Sequence, residues 1–135
     1  MGILRRIALV YMLILLAAAS LNYIPGLTDT EGRAFGVFAL DIYDDALHVA
    51  SALWAGTAAA LSNRAARIFL RYFGLLYLTD GLLGLATGSG YLDLGIMIHG
   101  LLDLPLTFRI LANLPHIAGG GFAVFSSVRF ATDVR

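Results

Sequence analysis

With 135 residues, of which 59% are hydrophobic and only 13% charged, the chain carries more apolar surface than a soluble domain of this size can hide, so lipid must cover part of it. Its formal net charge of zero provides no bulk field to attract nucleic acid, and the absence of cysteine excludes disulfides, thiol nucleophiles and thiolate metal sites. All nine basic residues are arginine, which removes lysine chemistry such as Schiff bases.

A membrane helix needs roughly 20 mostly apolar residues. The first candidate, 4–24, is closed by Pro25-Gly26. Arg5 and Arg6 ahead of the apolar run 7–19, with Ala17-Ala18-Ala19 after it, also outline a secretory signal peptide; we take the segment as the first membrane helix. The next spans fall at 44–62 and 66–87, the latter followed by Gly88-Ser89-Gly90, and the last at 114–130. Between them, 91–112 is apolar but interrupted by Asp93, His99, Asp103, Pro105 and Arg109, and is expected to be a loop with one or two short helices at the interface. A fifth span there is the competing reading. The expected fold is all-α: one transmembrane domain over 1–135, a four-helix bundle of two similar helix–long outer loop–helix halves.

Charge placement favours four spans. Arg5, Arg6, Arg64, Arg67, Arg71, Arg129 and Arg135 then share one side, and only Arg33 and Arg109 lie on the other. Asp29, Glu31, Asp41, Asp44, Asp45, Asp93 and Asp103 lie in or beside the long loops. The arginine bias puts both termini and the 63–65 turn in the cytoplasm. Tyr23, Tyr43 and Tyr91 fall near the outer boundary and Tyr72 near the inner, where interfacial anchors belong.

A shift of 68 residues lays His48 on His116 and Asp45 on Asn113, so each half reads helix, long loop, polar-x-x-His, helix. Such halves would be related by an axis along the membrane normal. On the second span, Asp45, His48, Ala52, Ala55 or Gly56, and Ala59 share a face; on the fourth, Asn113, His116, Gly120, Ala123 and Ser127 do. The third offers Gly74, Tyr77, Asp80 or Gly81, Gly84 and Gly88. Small residues let membrane helices approach closely. His48, His116 and Asp80 would lie together in the outer half, and an ionisable residue inside a membrane is a functional-site hypothesis by default. Asp80 is expected to face inward and meet His48, His116 or Tyr77. Simpler roles compete: Asp44 and Asp45 suit helix caps, Asn113 with Pro115 suits a helix start, and the histidines can be neutral hydrogen-bonded packing residues. Gly119-Gly120-Gly121 points either to close helix contact or to a flat ligand against the backbone.

Several stretches resemble the small bacterial four-helix membrane proteins grouped as a domain of unknown function. These are Ile24-Pro25-Gly26-Leu27-Thr28, Gly36-Val37-Phe38, Asp44-Asp45-Ala46-Leu47-His48 with Gly56 beyond it, Gly74-Leu75-Leu76-Tyr77 and Asn113-Leu114-Pro115-His116. They run in the same order over about 16–124. Family members often carry a His-Asn pair where this chain has Asp44-Asp45. The resemblance implies four helices and the bacterial inner membrane. It implies no reaction.

Three classes of function compete. No catalytic constellation is recognisable, and no Walker or dinucleotide fingerprint occurs, so the leading expectation is a non-enzymatic scaffold or accessory subunit of a larger membrane complex. Its partners would be the lipid bilayer and other membrane proteins or a second copy, with no nucleic acid. The alternative is a cofactor protein in which His48 and His116 ligate haem, or join Asp80 or Asp45 around iron or zinc. Proton or small-solute movement through the outer polar cluster ranks last, because the helix below His48 has only Ser51, Thr57 and Ser62 as polar side chains.

Overall fold

Four long helices and one short one make up the computed structural model, which describes residues 1–134. They are α1 (Ile3–Ser20), α2 (Ile42–Leu61), α3 (Asn63–Thr87), α4 (Gly95–His99) and α5 (Leu106–Arg129), with single 3-10 turns at Leu21–Tyr23 and Ala131–Val134. Two segments, Ile3–Tyr23 and Asn63–Thr87, are long and apolar enough to cross a membrane. Asp44, Asp45 and His48 lower the mean hydropathy of α2, and glycines and polar residues lower that of α5. Length and composition therefore support two of the four expected spans.

The helix starts follow local hydrogen bonding. Asp41 caps α2, its carboxylate accepting from the backbone N–H of Tyr43 at 2.9 Å and Asp44 at 3.1 Å, while the Asp44 carboxylate accepts from the Asp41 N–H at 3.0 Å. This reciprocal box starts the helix two residues before the expected position 44 and gives Asp44, but not Asp45, a capping role. Ser62 alone separates α2 from α3 and caps α3 by accepting from the Ala65 N–H at 3.0 Å. Gly88, in the left-handed region at φ 82°, ends α3.

The last helix corrects the expected 114–130. It begins at Leu106, so Pro115 lies inside it and Asn113 does not cap it; the Asn113 amide donates one turn back to the Arg109 carbonyl at 2.8 Å. Proline removes a single intrahelical bond, and close packing on α3 holds the helix through that gap. A Cβ on Gly81 would lie 2.7 Å from the Ile117 side chain and 3.0 Å from its backbone nitrogen. Of the 91–112 stretch, only α4 is a separate short helix; residues from Leu106 onward belong to α5.

Packing is tightest between α3 and α5 and between α1 and α2, and α3 also meets α1 and α2. An aromatic column along α3 forms the core: Phe69 and Phe73 stack at 4.9 Å, Phe73 and Tyr77 stand at 4.1 Å, and Tyr11 of α1 meets Phe73 edge-on at 5.3 Å. Small residues receive it, Ala52, Ala55 and Ala59 from α2 and Ala123 from α5. Gly74 and Gly120 bring α3 and α5 almost backbone to backbone, since a Cβ on either would sit 2.7 Å from the other's carbonyl oxygen. Close contact therefore accounts for Gly120, whereas Gly119 and Gly121 face open space.

The two ends differ in charge. At one, Arg5 donates to the Ala59 and Ala60 carbonyls at 2.5 and 3.1 Å, Arg67 to the Ser127 carbonyl at 2.9 Å, and Asn63 to the Asp133 carbonyl at 2.9 Å. Arg6, Arg64, Arg71 and Arg129 lie toward the same end; Arg135 lies outside the described residues. At the other end are the long connections 21–41 and 88–105. In the first, the Arg33 backbone N–H, ahead of the Glu31 N–H and the Arg33 guanidinium, holds the Asp29 carboxyl below its ordinary value of 3.8.

Candidate functional site: a histidine- and aspartate-lined chamber

Where the long connections fold over α2, α3 and α5 they leave a cavity of about 480 Å³, within the range of roughly 300–1,000 Å³ common for small-molecule sites. All three histidines of the chain line it, His48 from α2, His99 from α4 and His116 from α5. Four carboxylates join them: Asp41, Asp44, Asp80 and Asp93. The remaining wall is largely apolar, with Val37, Phe38 and Leu40 on one side and Leu102, Leu104 and Phe108 on the other.

Asp80 is the structural keystone of this chamber. It is 3% exposed, and its Oδ1 accepts from the N–H groups of Tyr91 and Leu92 at 2.7 and 2.9 Å. Its Oδ2 pairs with His116 Nδ1 at 2.5 Å. An ionised carboxylate only accepts, so Nδ1 of His116 carries the proton and Nε2 is the nitrogen left for other partners. Gly90 makes the approach of the loop possible, because a Cβ there would lie 2.6 Å from Asp80 Oδ1. Asp80 thus tethers the 88–95 segment to α3 and orients His116.

His48 is different. It is 7% exposed, makes no hydrogen bond among the described residues, and its Nδ1 is buried without a partner there. Its ring stands perpendicular to that of His116 at 6.4 Å, and the His116 ring lies 4.8 Å from Tyr77, whose hydroxyl meets Ser51 Oγ at 3.0 Å. Ser89, 6% exposed, also lines the chamber with its Oγ unpartnered. Buried polar atoms normally find partners, and two orphans on one cavity mark a place for a ligand or water. Asp44 and Asp93 face the same cavity from α2 and from the 88–105 connection, Asp44 Oδ2 accepting from the Asp41 N–H at 3.0 Å and Asp93 Oδ1 from the Gly95 N–H at 2.9 Å. Like charges gathered in one partly buried cavity favour a proton or a cation among them.

Three of the four residues singled out from sequence, His48, His116 and Asp80, therefore meet at this chamber, and Asp80 faces inward onto His116 as expected. Asp45 does not join them. Asp44 takes the chamber-facing place on α2, and Asp45 turns to the end of α1, where it accepts from the Tyr23 hydroxyl at 3.0 Å. Among the described residues no three His, Asp or Glu side chains are arranged to hold a metal ion. Asp80 already accepts two hydrogen bonds on Oδ1 and one on Oδ2.

Residues 5–97 match the family described as a domain of unknown function, DUF4383. The chain belongs to that family. The matched stretch includes Asp45-x-x-His48, Asp80 and the Ser89–Asp93 wall of the chamber, and it ends before His99 and Asn113-x-x-His116. Neither a curated protein nor a solved structure matches the chain.

Sequence reasoning did not place Asp41, Ser89, Asp93 and His99 in the site. Asp93 and His99 were visible only as polar interruptions of an apolar stretch. The Asp41-x-x-Asp44 spacing before an apolar helix is a capping-box signature and does reveal the local start. What brings the four together is the fold of two loops over the bundle end, which has no periodicity to read.

Proposed function

We propose that this is a non-enzymatic four-span protein of the bacterial inner membrane whose chamber, on the extracytoplasmic side, binds a small amphipathic cation. Beyond the two segments apolar enough on their own, α2 and α5 expose Val49 and Leu53, and Leu114, Phe122 and Phe125, outward-facing side chains that lipid would cover. Gathering of arginines at the opposite end supports a cytoplasmic location for the Ser62 turn and the residues beside it.

The observation that carries the ligand reading is one cavity lined by Asp41, Asp44 and Asp93 that also buries the unpartnered His48 Nδ1 and Ser89 Oγ. A positive head group would be drawn to these carboxylates, and an apolar tail would lie against Phe38, Leu102 and Phe108. Binding without a catalytic set suits an accessory subunit that receives or presents a ligand to a larger membrane complex. The test is calorimetric titration of the detergent-purified chain with n-hexylammonium and, separately, n-hexanoate. Saturable binding of the ammonium, weakened about tenfold or more in Asp93→Asn and absent for hexanoate, supports the reading. Equal binding of the two probes, or an Asp93→Asn variant that binds as the parent does, refutes it.

A second reading, haem or iron or zinc on His48 and His116, is favoured by the approach of their rings. Stoichiometric metal in protein purified without chelator, lost in His48→Ala, would place it first; background metal removes it.

A further inference from the structure

A second concavity lies on the outside of the molecule between α1 and α5, about one turn further along both helices than the chamber. It measures about 540 Å³ and is walled by Ile7, Val10 and Ile14 of α1 and Phe122 of α5. At its floor the Tyr11 hydroxyl donates to the Gly119 carbonyl at 2.5 Å, so the one uncharged polar side chain there is already satisfied. Nothing lies within 4 Å of where a Gly119 Cβ would be, and the groove stays open at that point. The single charged group on it is Arg6. Neighbouring Arg5 is bonded to the last carbonyls of α2, whereas Arg6 is exposed and has no hydrogen-bond or carboxylate partner among the described residues.

We infer that this groove holds one acyl chain of an anionic phospholipid of the cytoplasmic leaflet, with its phosphate on Arg6. The inference rests on the membrane orientation proposed above and is independent of the chamber's ligand. Three observations converge on that occupant. The wall is apolar from end to end, which suits a hydrocarbon chain. Its length along α1, from Ile3 to Ile14, is about 16 Å at 1.5 Å per residue, close to half of the roughly 30 Å hydrocarbon thickness and so to one leaflet. The cation stands at the arginine-rich end, where anionic head groups of the cytoplasmic leaflet would lie and where basic pockets between membrane helices bind them. A partner helix would instead have to bring a carboxylate to Arg6.

The test is native mass spectrometry of the full chain released from nanodiscs of equimolar dioleoyl phosphatidylglycerol and dioleoyl phosphatidylcholine. One retained phosphatidylglycerol, in about fivefold excess over phosphatidylcholine, is expected from one arginine at an anionic head group. Arg6→Gln should equalise the two lipids while keeping one bound. Gly119→Leu should fill the open floor and lose both, with helix content and melting unchanged. Equal retention of the two lipids by the parent, undiminished retention by Gly119→Leu, or a second copy of the chain in place of lipid would each overturn the inference. Hexylammonium binding measured on the same variants keeps this outcome separate from that of the chamber.

Discussion

Replacing Asp80 by alanine removes one side chain and strands three donors: the amides of Tyr91 and Leu92 and Nδ1 of His116. A buried donor left without a partner costs about 1–3 kcal/mol, and breaking a buried charged pair about 3–5 kcal/mol. The chamber beside Asp80 can admit water to these groups, which favours the lower end, about 3 kcal/mol for the variant as a whole. Asparagine keeps an oxygen for the two loop amides and loses only the charge-assisted bond to His116, a cost of about 1 kcal/mol. Melting followed by circular dichroism in one detergent should therefore rank parent, Asp80→Asn, Asp80→Ala, with the alanine variant down by about 10 °C at roughly 3 °C per kcal/mol. Amide exchange at Tyr91 and Leu92 should accelerate in Asp80→Ala before the α3 core responds. An alanine variant melting within about 2 °C of the parent would refute the tether, as would an asparagine variant as unstable as alanine.

The three consecutive glycines of α5 should separate by position: Gly120→Ala, whose Cβ would press on the α3 backbone, should destabilise by about 1–3 kcal/mol in the same melt. Gly121→Ala, into open space, should be neutral or stabilise by up to about 1 kcal/mol. In the 21–41 connection, the Asp29 carboxyl is held below 3.8, so its contribution is complete above that pH and lost as pH falls through the lower folded value. The Glu31 and Arg33 amide resonances should accordingly hold steady from neutral pH to below 3.8 and shift only in stronger acid. The absence of cysteine makes sidedness directly measurable: Thr30→Cys should react with an impermeant maleimide in intact cells, and Leu61→Cys only after lysis. The reverse pattern would invert the proposed orientation.

Periodicity made much of the fold legible. The buried face of α2 is the small-residue stripe visible at helical spacing, that of α3 contains its glycines together with the aromatic column, and His48 and Asp80 point inward from these faces as the spacing requires. The start of α5 was not legible, because an Asn-x-Pro pattern is locally a good helix start and only the packing of Gly81 and Gly84 of α3 against α5 carries the helix through Pro115. The choice between Asp44 and Asp45 was also beyond local reading. Both sit within one turn of His48, and it takes Tyr23 from the preceding segment to draw Asp45 away from the chamber. Loop residues such as Asp93 carry no face at all until the Asp80 tether fixes them.

The strongest pairings, α1 with α2 and α3 with α5, each join helices from one half of the chain, and the chamber lies across the seam between those halves. His48 hangs from the first pair, and Asp80 and His116 from the second. An occupant of the space between them would act as a clasp. Emptying it should loosen the two halves against each other before either helical hairpin comes apart, so that occupancy at one end of the molecule is reported along its whole length.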